Sequence, residues 1–164
     1  MSNGEKTEAG TTSDLQMVAF MLESEEFAVD IHKVKEVIKM PQVTPLPRAA
    51  DFIEGVINLR GEVIPVVCLR KRFQLPVGER DDQTRVIIVE IQGNNVGLIV
   101  DSVTEVLRFP TSEVQPPPST IAGTRTDLIK GVGKIDERLL IILDLERILT
   151  SDEMISLEEV TLSE

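Results

Sequence analysis

The chain has 164 residues, of which 41% are hydrophobic, and its formal net charge at pH 7 is −11. This size and composition suit one compact domain, or two small subdomains that share a core. The negative charge opposes binding to nucleic acid or to an anionic membrane surface, and the lack of Trp and Tyr removes the usual platforms for base stacking.

The sequence offers little for catalysis or metal binding. Cys68 is the single cysteine and His32 the single histidine, so neither an internal disulfide nor a zinc site is expected. We expect Cys68 to be a small core residue and His32 to lie at the surface or at the boundary of an element. The sequence therefore predicts an intracellular protein with no catalytic residue, no metal and no cofactor.

The first third of the chain predicts a leader, a hairpin and a linker. Residues 1–14 are polar and lack the apolar segment of a signal peptide, which predicts a disordered leader. Two β-like stretches from Leu15 onward, separated by paired glutamates, predict a hairpin. Residues 32–39 fit either a helix or a strand, because Val and Ile stand at helical spacing yet favour strands. Three prolines between 41 and 47 then predict an extended linker.

Residues 51–73 predict a second hairpin. Gly55 and Gly61 punctuate two apolar stretches that are joined by a tight turn, NLRG. Pro65 lacks a backbone donor, which predicts that the second strand lies at a sheet edge or contains a bulge. The following LRKRFQL predicts a short helical turn, and GERDDQ predicts an exposed acidic loop.

The second half of the chain repeats this plan. Residues 34–41 (VKEVIKMP) recur 69 positions later as 103–110 (VTEVLRFP), and residues 51–73 align with 127–149 at an offset of 76. A repeat that occurs only twice indicates a duplicated subdomain rather than a solenoid. After Asp144 the apolar spacing predicts a terminal helix or two short ones.

Many short strands interrupted by Gly and Pro favour small β-barrels over a layered α/β sheet. The predicted domain covers residues 15–156, with halves at about 15–73 and 84–149 and a short acidic tail at 157–164. Gly55 and Gly131 match between the halves, which indicates a backbone requirement such as a positive φ or a close approach.

Arg60 lies in the NLRG turn, where the copies disagree because the aligned residues Lys134, Ile135, Asp136 and Glu137 carry a different charge pattern. It is either a solvated residue at a hairpin tip or a contact for a partner protein, because Arg combines a fork of donors with an apolar stem. Val34, Glu36 and Val37 have counterparts in the second copy, which argues first for a role in the fold. For Val37 we prefer barrel packing.

Several carboxylates raise the possibility of a small enzyme. No motif sets two of them across a cleft as a catalytic pair, so this is the least favoured function. The residues concerned are Asp30, Glu36, Asp51 and Glu54.

The segment FIEGVINLRGEVIPVVCLRKRF resembles the CheW family of bacterial chemotaxis coupling proteins. The similarity spans about residues 15–156 and includes FAVDIHKVKEVI, RVIIVEI, VGLIVDSVTEVL and LLIILDLERIL. The resemblance implies a mainly β fold of two five-stranded, SH3-like β-barrel subdomains that share a hydrophobic core, with short helices including a C-terminal one. It also implies a non-catalytic cytoplasmic adaptor that couples transmembrane chemoreceptors to the histidine kinase CheA in signalling arrays at the inner membrane.

The resemblance further implies the partner contacts. The implied partners are CheA and the cytoplasmic tips of methyl-accepting chemoreceptors, with no nucleic acid, no membrane insertion and a monomer when free. A coupling protein of a non-flagellar chemosensory pathway is the alternative. Receptor-binding positions are implied for Val34, Glu36, Gly55, Arg60 and Val106, and kinase-binding positions for Gly61, Val63 and Gly97.

The sequence departs from the family pattern at two positions. Cys68 stands where relatives often have Asp, in P-(V/I)-(V/I)-D-L-R, which implies that a local hydrogen bond is lost. Arg85 stands where relatives commonly have an apolar residue, which implies a change in partner choice.

Overall fold

A computed structural model of the chain describes residues 14–117 and 126–149. The first copy of the repeat contributes β1 (Asp14–Leu22), β2 (Glu25–Asp30), β3 (Val34–Lys39), β4 (Ile53–Leu59), β5 (Glu62–Cys68) and helix α1 (Leu69–Arg72). The second contributes β6 (Arg85–Ile91), β7 (Asn94–Val100), β8 (Ser102–Pro110), β9 (Val114–Gln115), β10 (Ile129–Ile135), β11 (Arg138–Leu143) and helix α2 (Leu145–Ile148). Short 3-10 turns lie at Ile31–Lys33, Thr111–Glu113 and Thr126–Leu128.

The strands form two sheets, which confirms the predicted mainly β fold. The first sheet has the order β9-β10-β11-β2-β1-β8 and the second has the order β3-β6-β7-β5-β4. The first sheet has six strands because it includes the short edge strand β9, which has only two residues. In the second sheet a bridge from Thr44 to Val56 brings the chain beyond β3 back to β4, so each sheet curls towards a barrel.

The sheets do not coincide with the two copies of the repeat. Hairpin β1–β2, from the first copy, lies in the sheet that otherwise comes from the second copy, and hairpin β6–β7 lies in the other sheet. Each exchanged hairpin joins its host sheet through a parallel pair, β11 with β2 and β5 with β7. The two copies are therefore intertwined rather than packed side by side.

A two-residue turn connects the two strands of each hairpin. The first turn residue has a positive φ in all four turns: Glu23 at 56°, Arg60 at 51°, Gln92 at 52° and Asp136 at 54°. Turns with left-handed central residues match the right-handed twist of the flanking strands. The hairpins predicted from the sequence are confirmed.

Alternation along the exchanged hairpins creates three apolar clusters. Val18 and Phe20 of β1 join Ile87 and Val89 of β6 in the large cluster between the sheets. The intervening residues point elsewhere: Met17 and Ala19 belong to a smaller cluster of the first sheet, and Val86 and Ile88 belong to that of the second. The shared core that the resemblance implied is present.

Three local predictions need refinement. Residues 34–39 are a strand preceded by a 3-10 turn, so the ambiguous segment 32–39 is mixed. Val37 is 40% exposed, so the preference for barrel packing was wrong: β3 is an edge strand and leaves one face open. Pro65 lies in β5, which pairs with β4 on one side and with β7 on the other. Pairing with β7 begins only at Val66. At Pro65 the strand therefore has a partner on one side only, as an edge strand does.

Other predictions fall partly outside the described residues. Asp14 already belongs to β1, while the rest of the predicted leader, residues 1–13, lies outside the described part. The predicted turn after Cys68 is α1, and the start of the predicted terminal helix is α2; the remainder of that helix and the tail at 157–164 are not described. No helix in the described ranges is long and apolar enough to cross a membrane.

The matched glycines are both required by close approach. A Cβ at Gly55, which has a φ of +148°, would lie 2.1 Å from the Thr44 carbonyl oxygen. A Cβ at Gly131 would lie 2.9 Å from the Gln115 carbonyl oxygen. Each glycine thus lets the segment beyond an edge strand close its barrel.

We expect Gly55→Ala to lower the free energy of unfolding by about 2–4 kcal/mol, because the methyl group collides with the Thr44 backbone and the φ is unfavourable for L residues. Urea denaturation would measure this loss. Gly78→Ala is the matched control, since a Cβ at Gly78 meets no atom within 4 Å. Equal stability of the two variants would contradict the closure role of Gly55.

Candidate functional site

Most residues with an implied contact lie on the second sheet. Val34 and Glu36 are on the edge strand β3, Gly55 is on β4, and Arg60 and Gly61 form the β4–β5 turn. Val63 and Gly97 follow on β5 and β7, whereas Val106 lies on β8 of the first sheet. The structure thus brings the proposed positions to two different sheets.

Arg60 spans the opening between the two edges of the second sheet. Its guanidinium binds the Glu36 carboxylate, with Nη1 donating to Oε1 at 3.4 Å and Nη2 pairing with Oε2. The turn is fixed by the Gly61 N–H, which donates to Asn58 Oδ1 at 2.8 Å. The Glu36 hydrogen bond raises the pKa of Arg60. The Arg60 side chain is nevertheless 70% exposed, so it is both oriented and accessible.

The first sheet carries a related but different ion pair. Glu105 is the repeat counterpart of Glu36, and it accepts from Arg138 Nη1 at 2.8 Å. Arg138 lies two residues beyond the counterpart of Arg60, and its Nη2 also donates to Glu26 at 2.6 Å. Arg138 binds two carboxylates from its position at the start of β11, whereas Arg60 binds one carboxylate from the hairpin turn.

Exposed apolar side chains occur at repeat-related positions. Val37 on β3 and Val63 on β5 are 40% and 42% exposed. Their counterparts at offsets of 69 and 76, Val106 on β8 and Leu139 on β11, are 55% and 58% exposed. Each sheet therefore presents one apolar residue on its edge strand and another near the start of a strand that follows a turn. Such residues are suited to partner contacts.

Two of the implied contact residues are buried and a third is half-buried. Gly55 is buried beside Thr44, and Gly97 is also buried, where a Cβ would lie 2.7 Å from Val66 Cγ1. Val34 is half-buried and packs against the shared core. We therefore assign Gly55 and Gly97 a role in holding the backbone, through which they would influence a surface indirectly.

The remaining candidates have structural partners. Cys68 is buried with a free thiol, as expected. His32 is exposed at a 3-10 turn, where its N–H donates to Asp30 Oδ1 at 2.9 Å. Among the acids considered for catalysis, Glu36 pairs with Arg60, and Glu54 pairs with Lys71 and Arg80. These carboxylates belong to separate local contacts.

The hydrogen bonds of Arg85 give it a role within the fold rather than in partner choice. Its Nη1 donates to the carbonyl oxygens of Asp82 at 2.8 Å and Thr84 at 2.9 Å. It therefore fastens the acidic loop to the start of β6. The sequence did not reveal this role, because the acceptors are backbone atoms.

Glu54 fastens the connection between the two copies. It lies 2.8 Å from Lys71 Nζ and 3.3 Å from Arg80 Nη2, and so joins β4 to α1 and the loop beyond it. Burial raises the pKa of Glu54, but the hydrogen bond from Lys71 and the charge of Arg80 outweigh burial and lower it below its ordinary value of 4.5.

A lowered pKa in the folded state makes Glu54 stabilising above the pKa of the unfolded chain, and this stability is lost as pH falls through the folded pKa. We expect Glu54→Gln to cost about 1 kcal/mol at pH 7, between a surface pair and a buried one, and to cost less in acid. Urea denaturation against pH would measure this. A cost that is independent of pH, or an equal cost for Glu79→Gln in the exposed loop, would contradict the assignment.

Comparisons with known proteins identify relatives of this chain. Residues 16–153 match the family model of the CheW-like domain. A chemotaxis protein CheW of Klebsiella aerogenes is 36% identical over 155 residues, covering 94% of this chain and 93% of the relative. A chemotaxis protein CheW of Bacillus subtilis is 36% identical over 137 residues, covering 84% and 88%. The crystal structure of scaffolding protein TtCheW from Thermoanaerobacter tengcongensis superposes with a TM-score of 0.79 at 37% identity, covering 88% of this chain and 93% of that one.

Proposed function

This chain belongs to the CheW-like domain family, and we propose that it is a non-catalytic adaptor that couples transmembrane chemoreceptors to the histidine kinase CheA in bacterial signalling arrays. Its relatives are chemotaxis proteins, and a structural neighbour is a scaffolding protein. An adaptor needs separate surfaces on a rigid body, and two sheets that share a core supply the rigid body. Its place would be the cytoplasmic face of the inner membrane.

The observation that carries the receptor contact is the oriented, exposed Arg60. Glu36 holds the guanidinium across the sheet edges, yet most of the side chain reaches solvent. A preformed arginine loses less conformational entropy on binding than a free one, and Arg is enriched among interface anchors. We therefore propose that Arg60, Glu36 and the adjoining Val34 contact the receptor tip, with Val106 extending the surface on the first sheet.

The kinase contact is proposed on the same sheet, on the β5 side of the turn that carries Arg60. Val63 exposes an apolar side chain at the start of β5, and Gly61 leaves the turn beside it uncovered. Gly97 supports this surface from within, because it lets β5 and β6 side chains pack closely beneath the strand.

We expect Arg60→Asp to abolish binding of receptor signalling tips while leaving folding and CheA binding unchanged, because it places a carboxylate beside Glu36. Pull-down with receptor fragments and thermal denaturation would test this. Lys134→Asp, which makes the same charge change on the β10–β11 hairpin, is the matched control. Normal receptor binding by Arg60→Asp would refute the contact.

A charge swap separates the contact from the ion pair. The double variant Arg60→Glu with Glu36→Arg keeps an internal pair but removes the cation from the turn. We expect it to fold normally and still fail to bind receptor tips. Restored binding would show that Arg60 acts only through the fold.

We expect Val63→Glu to weaken CheA binding by about 1–3 kcal/mol, the usual cost of replacing an apolar residue that packs in an interface, while receptor binding is retained. Isothermal titration with the regulatory domain of CheA would measure the change. Leu139→Glu is the repeat-related control on the first sheet. An equal decrease in affinity for the two variants would contradict the placement of the kinase surface on the second sheet.

A further inference from the structure

The start of β5 carries an acid where the start of β11 carries an arginine. Glu62 corresponds to Arg138 at the repeat offset of 76, and each is the first residue of its strand. Each also lies two residues beyond the first residue of its hairpin turn, which is Arg60 in one copy and Asp136 in the other. The two copies therefore allow opposite charges to be compared at one place in the fold.

Both strand starts bind a side chain at a second repeat-related position. Asn95 corresponds to Glu26 at the offset of 69. In the second sheet Asn95 Nδ2 donates to Glu62 Oε2 at 3.0 Å, and in the first sheet Arg138 Nε donates to Glu26 Oε1 at 3.1 Å. The pairing of side chains is thus kept between the copies, but only the second copy has a cation in it.

The arginine at the start of β11 also reaches the edge strand β8. Arg138 Nη1 donates to Glu105 Oε2 at 2.8 Å, and Glu105 is the counterpart of Glu36. A cation at this place therefore binds the carboxylate of the edge strand directly, without a residue of the hairpin turn.

Glu62 cannot make the equivalent contact, because it carries the same charge as Glu36. The Glu36 carboxylate is bound instead from the turn, where Arg60 Nη1 donates to Oε1 at 3.4 Å. Glu62 attracts the same guanidinium: the hydrogen bond to Glu36 is the main cause that raises the pKa of Arg60, and the charge of Glu62 raises it further. The acid at the start of β5 thus leaves Glu36 available and favours the bound position of Arg60.

We propose that Glu62 is a positioning residue for Arg60, because it reserves the Glu36 carboxylate for the turn arginine while Asn95 holds it in place. The positioning is a property of the free chain. It deepens the proposed receptor contact, and any effect of Glu62 on receptor binding rests on that proposed function.

The test is Glu62→Arg in the full-length chain, which rebuilds the arrangement of the second copy. The introduced guanidinium can reach Glu36 as Arg138 reaches Glu105, and it repels Arg60 instead of attracting it. We expect Arg60 to lose its ion pair. NMR of the nitrogen-bound protons of Arg60 should then show several-fold faster rotation of its guanidinium. Isothermal titration should show an affinity for receptor signalling tips that is lower by about tenfold.

Two variants are the matched controls. Glu79→Arg makes the same charge change in the exposed loop after α1, and Glu62→Asp keeps an acid at the start of β5. We expect both to retain the slow rotation of the Arg60 guanidinium and a receptor affinity within about twofold of the unaltered chain. An equal loss of affinity in Glu79→Arg would overturn the proposal, because net charge would then be responsible.

The rotation and the affinity separate two possible failures. Slow rotation of the Arg60 guanidinium in Glu62→Arg would overturn the positioning role, whatever the receptor affinity. Fast rotation with unchanged receptor affinity would support the positioning role and refute the receptor contact of Arg60. Thermal denaturation checks that each variant is folded, as expected for substitutions at exposed positions.

Discussion

The exchange of hairpins between the two copies is the constraint on which the rest of the structure depends. Each sheet is completed by a hairpin from the other copy, so neither copy can pair all its strands alone. The exchanged hairpins also build the shared core, where Phe27 lies 5.9 Å from Phe20 and 5.3 Å from Phe73 between ring centroids. Full burial of one such side chain stabilises by about 1.5–3 kcal/mol, so unfolding one barrel would expose the core of the other.

This coupling fixes the angle between the surfaces that the two sheets present. Asp101 adds a polar clamp to the apolar core: its carboxylate accepts from Arg70 Nε at 2.9 Å and from the Glu23 N–H at 2.8 Å. The Asp101 N–H donates to the Met21 carbonyl oxygen at 3.0 Å. The clamp thus joins the β1–β2 turn of one sheet to α1 beside the other. Partners bound to different faces of this rigid body would be held at a defined distance, which is the physical requirement for a scaffold.

Local elements could be predicted from the sequence because they depend on near neighbours. Alternating apolar residues and paired turn residues specified the hairpins, and the repeat identified Gly55 and Gly131 as equivalent. The exchange could not be predicted, because the repeat shows which segments are alike but not which strands pair. For the same reason the sequence singled out Arg60 and Glu36 separately but not the ion pair between these two residues, which are 24 residues apart. Val37 was misplaced because an edge strand with mixed residues has the same pattern whether its outer face is covered or open.

The two copies have similar buried apolar residues but differ in the charges of their surface residues. The apolar positions of the hairpins correspond as Val18 to Ile87 and Phe20 to Val89, and all four are buried. At the barrel ends Glu54 corresponds to Lys130, and Arg70 to Glu146, so the charges are reversed. A core substitution must fit a closely packed interior, whereas a surface charge can be reversed at small cost in stability. Charge reversal on a common frame therefore gives two equivalent barrels different electrostatic surfaces without altering the core that holds them together.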